Sequence, residues 1–97
     1  MLREISIQKA QRALADNPEI QLIDVRTAAE YRQGHIPGSI NIPLANIRNC
    51  LIPKSSPVFV CCKSGGRALQ AKDTLIAMGY TNVINIGSIS GWKLVSD

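Results

Sequence analysis

Short β-rich apolar segments alternate along this chain with segments of helical periodicity. The strand candidates are residues 20–25 (IQLIDV), 58–61 (VFVC) and 82–86 (NVINI), and a Pro37-Gly38 turn leads to a further short strand around residues 40–42. Parallel strands need long crossover connections, which are usually helices. The alternation therefore predicts an α/β fold in which a small parallel β-sheet is flanked by α-helices on both faces. Ligands of such sheets bind at the carboxyl ends of the strands.

Two helices have clear start and stop signals. Ser6 is placed to cap a helix that the Asn17-Pro18 pair ends. Thr27 and Glu30 form a capping-box pattern at the start of a second helix, which ends by Gly34. Both helices are expected to pack against the sheet.

Three further helices are predicted with less regular patterns. Residues 44–52 form a short helix with Leu44, Ile47 and Leu51 on one side, and residues 88–95 form another whose Trp92 packs on the body. A longer helix begins at the Gly65-Gly66 pair and ends at Gly79. The apolar side of this longer helix comprises Ala68, Leu69, Ala71, Leu75, Ile76 and Met78.

Composition narrows the classes of protein to which the chain can belong. A length of 97 residues with 45% hydrophobic residues predicts one globular domain over residues 1–97. Three cysteines without a signal-peptide pattern predict a reduced, cytoplasmic protein. No apolar run is long enough to cross a bilayer, so no membrane association is expected. The net charge of +4 is scattered along the chain, which argues against a nucleic-acid partner but allows small anions to bind.

The stretch VFVCCKSGGR, residues 58–67, has the strongest chemical signal. Small residues at 64–66 let the backbone curl so that several amide N–H groups converge, and the following helix directs its positive end to the same point. A thiol above such an anion cradle ionises readily, and the thiolate is the nucleophile. The residues predicted to bind an anionic substrate here are Lys63, Ser64, Gly65, Gly66 and Arg67.

The pattern alone leaves open which of the two adjacent cysteines reacts. Neighbouring side chains on a strand point to opposite faces, so only one of Cys61 and Cys62 faces the cradle. If the loop runs from Cys62 to Arg67, it is tight and suits a sulfur atom. If it runs from Cys61 to Arg67, it has the Cys-x5-Arg spacing of phosphatase loops, which enclose a bulkier oxyanion. Cys50 lies in an apolar run and is expected to be packing only.

The remaining polar candidates are interpreted as structural. His35, the single histidine, lies beside the Pro37-Gly38 turn and away in sequence from the cysteines. Asp24 and Arg26, at the end of the first strand, are candidates to border the site, but the favoured interpretation is an ion pair or hydrogen-bonded corner. The cysteine spacing lacks the paired Cys-x-x-Cys pattern of zinc sites, so no metal and no cofactor are predicted.

Three separated segments resemble rhodanese-like sulfurtransferases. They are residues 22–44 (LIDVRTAAEYRQGHIPGSINIPL), residues 62–68 (CKSGGRA), which resemble the active-site loop, and residues 79–93 (GYTNVINIGSISGWK), which resemble the closing segment. The resemblance implies a rhodanese-like fold and places Cys62 at the position that forms a persulfide. It also implies ping-pong transfer of a sulfane sulfur from a donor such as thiosulfate to cyanide or a thiol.

The loop departs from the donor patterns of the family, and two other functions remain open. Thiosulfate-preferring loops often carry two basic residues after the cysteine, whereas here Lys63 is basic and Ser64 is small. One cation still favours an anionic sulfur donor. The alternatives are a phosphatase or arsenate reductase of the same fold that uses Cys61, and a non-catalytic persulfide carrier or docking module that serves a sulfur-relay protein.

Overall fold

The fold is described over residues 3–96 of a computed structural model. Its elements are α1 (Ile7–Asp16), β1 (Gln21–Asp24), α2 (Ala28–Gln33), β2 (Ile40–Asn41), a 3-10 helix (Leu44–Asn49), β3 (Val58–Cys62), α3 (Gly66–Ala77) and β4 (Val83–Ser88). Within residues 3–96 the four strands pair in parallel in the order β2-β1-β3-β4. The central strand β3 therefore has its carboxyl end between the ends of β1 and β4.

Two clusters of buried side chains cover the two faces of the sheet. Along β3 the side chains alternate, with Val58, Val60 and Cys62 in one cluster and Phe59 and Cys61 in the other. Helix α3 and the 3-10 helix pack on the first face, and α1 packs on the second. The prediction of a small parallel sheet with helices on both faces is confirmed.

The predicted helix starts are present as hydrogen-bonded caps. Ser6 Oγ accepts the N–H of Lys9 at the start of α1 (3.1 Å). At α2 the capping box is complete, because Thr27 Oγ1 accepts the Glu30 N–H (3.2 Å) and Glu30 Oε1 accepts the Thr27 N–H (3.0 Å). These caps satisfy amides that the helices themselves leave without partners.

The prediction of a short helix over residues 88–95 is wrong. Strand β4 continues to Ser88, and a turn follows in which the Trp92 N–H donates to the Ile89 carbonyl (3.1 Å). Gly91 has a φ of +90°, which a helix cannot contain, and Val95 pairs with His35 through two backbone hydrogen bonds. Trp92 nevertheless packs against the cluster on the α1 side, as expected.

Three apolar side chains expected on buried helix sides are exposed. Leu51 is 95% exposed because the 3-10 helix ends at Asn49 and the chain continues in an extended conformation through Cys50. On α3 the buried side chains form a narrow stripe of Ala68, Ala71 and Leu75, and the side chains that flank it are exposed, Leu69 by 40% and Ile76 by 49%. The two alanines let α3 lie close to the sheet.

Across residues 3–96, the helices are too short or too polar to cross a lipid bilayer.

Candidate active site

The Cys62 side chain lies at the carboxyl end of β3 and is fully buried. Its Sγ accepts hydrogen bonds from two backbone amides, the Gly65 N–H (2.9 Å) and the Ala68 N–H (3.4 Å). Both donors stabilise negative charge on the sulfur more than they stabilise a neutral thiol. The arrangement can therefore hold a thiolate or another anionic sulfur at this position.

Gly65 gives the loop the shape that brings these amides together. It has a φ of +95°, in the left-handed region, and forms the N-cap of α3. The chain reverses there, so that α3 begins at Gly66 with its positive end toward Cys62. Lys63 and Ser64, on the outer part of the loop, are exposed.

The end of β4 holds the carbonyl groups of this loop. Ser88 Oγ donates to the Lys63 carbonyl (2.5 Å), and buried Asn85 Nδ2 donates to the Gly65 carbonyl (3.4 Å). Because these two carbonyls accept hydrogen bonds from β4, they point away from Cys62, while the Gly65 and Ala68 amides point toward it. Sequence reasoning missed both residues, because small polar side chains 20 and 25 positions away carry no local signal of this contact.

Cys61 lies on the opposite face of β3. It is fully buried in the cluster that α1 covers, while Cys62 belongs to the cluster that α3 covers. Burial and, to a smaller extent, the Asp24 carboxylate raise the pKa of the Cys61 thiol well above its usual range. Cys61 is therefore protonated at neutral pH and points away from the amides that surround Cys62.

Arg67, the last residue of the predicted loop, binds Glu30 across 37 positions of sequence. Its guanidinium donates from two nitrogens to the two carboxylate oxygens of Glu30 (2.6 and 2.9 Å). This bidentate hydrogen bonding, with the Thr27 cap, holds the pKa of Glu30 far below its usual range. Glu30 was expected only as a helix cap, and it holds that position as well.

An open cleft of about 550 Å³ lies beside the loop. Lys63 and Ser88 form its edge on the side of the cysteine, and Arg26 and Glu30 contribute from the region of α2. Its remaining lining comes from Gln33, Gly34, Ile89, Ser90, Gly91, Trp92 and Leu94. Polar and apolar side chains therefore meet in one cleft at the carboxyl edge of the sheet, where α/β folds bind ligands.

Residues 6–94 match the family model of the rhodanese-like domain. The chain belongs to the rhodanese-like family. It is 40% identical over 95 residues to a sulfurtransferase of Allochromatium vinosum, an alignment that covers 95% of this chain and 89% of the relative. It is 42% identical over 71 residues to thiosulfate sulfurtransferase PspE of Escherichia coli, covering 69% of this chain and 68% of PspE.

A solved structure supports the same conclusion. The structure described as "rhodanese with anions from E. coli" superposes with a TM-score of 0.73 at 36% identity, and the match covers 80% of this chain and 99% of that chain. Together these relatives support a sulfurtransferase role for this rhodanese-like chain.

The structural polar residues of this rhodanese-like domain take the positions expected of them. Arg26 and Asp24 form a buried ion pair with a 2.7 Å contact. His35 is buried, its ring stacks on Tyr31, and its Nδ1 lies 2.8 Å from the Tyr31 carbonyl oxygen.

Cys50 is buried under the Tyr80 hydroxyl, which donates to its Sγ (3.3 Å). In the part of the chain that the structure describes, no three His, Cys, Asp or Glu side chains are placed to bind one metal ion.

Proposed function

We propose that this chain transfers sulfane sulfur through a persulfide on Cys62. The observation that carries the proposal is the pair of amide hydrogen bonds from Gly65 and Ala68 to Cys62 Sγ. A persulfide on the same sulfur is also anionic, so the same amides and the helix end that favour the thiolate also favour the intermediate. The sulfurtransferase relatives support this chemistry.

The proposed donor is a small anion such as thiosulfate. The Cys62 thiolate attacks the sulfane sulfur of thiosulfate, an S–S bond forms to Cys62, and the S–S bond within thiosulfate breaks as sulfite leaves with the electron pair. A thiophilic acceptor, cyanide or a cellular thiolate, then attacks the outer sulfur and leaves as thiocyanate or as a new persulfide. The Cys62 thiolate is regenerated, which makes the cycle ping-pong.

The residues proposed to bind the donor are Lys63, Ser64, Gly65, Gly66 and Arg67. Lys63 brings a cation to the edge of the cleft, and the E. coli rhodanese structure solved with anions supports anion binding in a relative. Since Cys62 is fully buried, the sulfur must be uncovered before a donor reaches it. The exposed residues Lys63 and Ser64 are the part of the loop that we expect to move.

The test is the intact mass of the purified protein before and after incubation with thiosulfate. We expect a gain of one sulfur atom on the wild type, loss of that gain on addition of cyanide, and no gain on Cys62→Ser. Cys61→Ser is the matched control and should load like the wild type, because its side chain faces the other cluster. Loading that depends on Cys61 and not on Cys62 would overturn the proposal.

Turnover separates an enzyme from a carrier that uses the same cysteine. We expect repeated formation of thiocyanate from thiosulfate and cyanide, with sulfite released in equal amount. A protein that loads Cys62 once but does not turn over would instead be a persulfide carrier for a sulfur-relay protein. The phosphatase alternative loses support, because it needs Cys61 at the cradle and a thiol that ionises.

A further inference from the structure

Glu30 joins the start of α2 to Arg67 of α3 through one carboxylate. Its Oε1 accepts the Thr27 N–H (3.0 Å) and the Thr27 hydroxyl (3.1 Å), and also contacts Arg67 (2.6 Å). Its Oε2 accepts the second Arg67 nitrogen (2.9 Å). The carboxylate therefore fixes the guanidinium of Arg67 from the start of a different helix.

Arg67 lies close enough to Cys62 for its charge to matter. It precedes Ala68, whose N–H donates to Cys62 Sγ. Arg67 is therefore in the first turn of α3, whose amide end faces the reactive sulfur, and the hydrogen-bonded Glu30 carboxylate raises the pKa of its guanidinium. An Arg67 without Glu30 would present its full charge and its fork of donors to an oxyanion there.

The charges that line the cleft almost cancel. Arg26 is neutralised by buried Asp24, and Glu30 is neutralised by Arg67. Of the charged residues that line the cleft, Lys63 is the one without an ion pair within residues 3–96. An arriving anion therefore meets one uncompensated cation, although two others stand close to the site.

We propose that Glu30 is a positioning residue that sets the affinity of the site for anionic donors. It holds Arg67 in a neutral pair, so that Arg67 meets the donor with its charge compensated, Lys63 supplies the uncompensated attraction, and the loop does not become a tight oxyanion site. The inference rests on the proposed function in taking an anion as the donor. Its consequence is that sulfate, phosphate and the departing sulfite bind weakly to the wild type.

The test removes the charge of Glu30 but keeps the helix cap. Glu30→Gln retains an oxygen that accepts the Thr27 N–H, because Gln serves at this position of a capping box as Glu does. Sulfate binding to the full chain is followed by NMR at low ionic strength, through the amide shifts of Gly65 and Ala68. We expect Glu30→Gln to bind sulfate about three- to fivefold more tightly than the wild type, as expected for one added, partly exposed charge.

Two further variants separate this role from a merely structural one. In a double variant with Arg67→Gln, the gain must disappear, because the released guanidinium is absent. Glu19→Gln removes the same charge at the opposite edge of the sheet, before β1, and should leave sulfate binding within about twofold of the wild type. An unchanged sulfate affinity in Glu30→Gln, or a gain that survives without Arg67, would overturn the inference.

Sulfate binding does not depend on sulfur transfer, so the two proposals fail separately. If Cys62 loads sulfur but Glu30→Gln leaves sulfate affinity unchanged, only the role of Glu30 is wrong. If Cys62 does not load sulfur but Glu30→Gln binds sulfate more tightly as expected, the role of Glu30 is confirmed and the proposed function is wrong. The KM for thiosulfate gives a second reading, and we expect it to fall in Glu30→Gln in parallel with the sulfate dissociation constant.

Discussion

Under the proposed function, Lys63 is the residue whose charge an anionic donor meets first, and this gives a prediction for its substitution. Lys63→Ala should raise the KM for thiosulfate by about three- to tenfold, since one attractive charge at the cleft edge is lost. Use of an uncharged dialkyl trisulfide should change by less than about twofold. Steady-state kinetics with both donors checks this, and Lys63→Arg, which keeps the charge, is the control. Equal losses with both donors would remove the proposed role in anion binding.

The Glu30 carboxyl has a consequence for stability against pH. Arg67 first and the Thr27 amide second hold the pKa of Glu30 far below its unfolded value of about 4.3. A pKa lowered by folding contributes stability that is fully present above the unfolded value and is lost as the pH falls through the folded value. This contribution is therefore complete at neutral pH and declines in acid.

We expect the stability difference between the wild type and Glu30→Gln to be largest at neutral pH. The variant has no carboxyl to protonate at this position, so it lacks this part of the pH dependence, and the difference should shrink as the pH falls below about 4. Urea unfolding of both proteins from about pH 7 to about pH 3 measures it. A difference that stays constant over this range would show that the ion pair does not contribute.

At the scale of elements, the junction between β3 and α3 depends on two adjacent glycines that differ in conformation. Gly65 has a φ of +95°, so Gly65→Ala should destabilise the fold by about 1–2 kcal/mol and displace the amide that binds Cys62 Sγ. Gly66 is the first residue of α3, and a Cβ there meets no atom within 4 Å. Gly66→Ala should therefore be neutral or stabilise the fold by up to about 1 kcal/mol.

Urea unfolding of the two glycine variants gives both free energies directly. Sulfur loading of Gly65→Ala by intact mass reports whether the amide has moved. Equal stability of the two variants would mean that the left-handed conformation of Gly65 costs an alanine nothing, contrary to the expectation.

Elements that are set by neighbouring residues are predictable from the sequence. Elements that depend on contacts between distant parts of the chain are not. The caps at Ser6 and Thr27 and the strand before Cys62 depend on neighbours in sequence, and all three are confirmed. The helix expected near Trp92 is wrong because its backbone pairs with His35, about sixty positions earlier. No short-range pattern records such a pairing.

The same division applies to the candidate site. The loop after Cys62 is recognisable because small residues and glycines stand together in sequence. Its supports on β4, Asn85 and Ser88, and the Glu30–Arg67 pair join residues 20 to 37 positions apart. Only the folded sheet brings these residues to one edge, so the loop is predictable from the sequence while the contacts that hold it are not.

At the scale of the whole molecule, one buried ion pair joins the sheet to the wall of the cleft. Both oxygens of Asp24 at the end of β1 accept hydrogen bonds from Arg26. The same guanidinium donates to the Gly34 carbonyl after α2 (2.7 Å), and Gly34 lines the cleft. Loss of one partner would leave a charge buried without compensation, which costs far more than loss of an exposed pair.

Asp24→Asn should therefore destabilise the protein by roughly 3–5 kcal/mol, a large part of the roughly 5–15 kcal/mol typical of a domain. Urea unfolding should show the midpoint falling by about 2 M. Lys72→Met is the matched control, because it breaks the partly exposed pair with Glu4 and should cost less than about 1 kcal/mol. Equal costs for the two variants would contradict the prediction. A double variant, Asp24→Leu with Arg26→Met, should recover part of the loss, because an apolar pair leaves no buried charge without a partner.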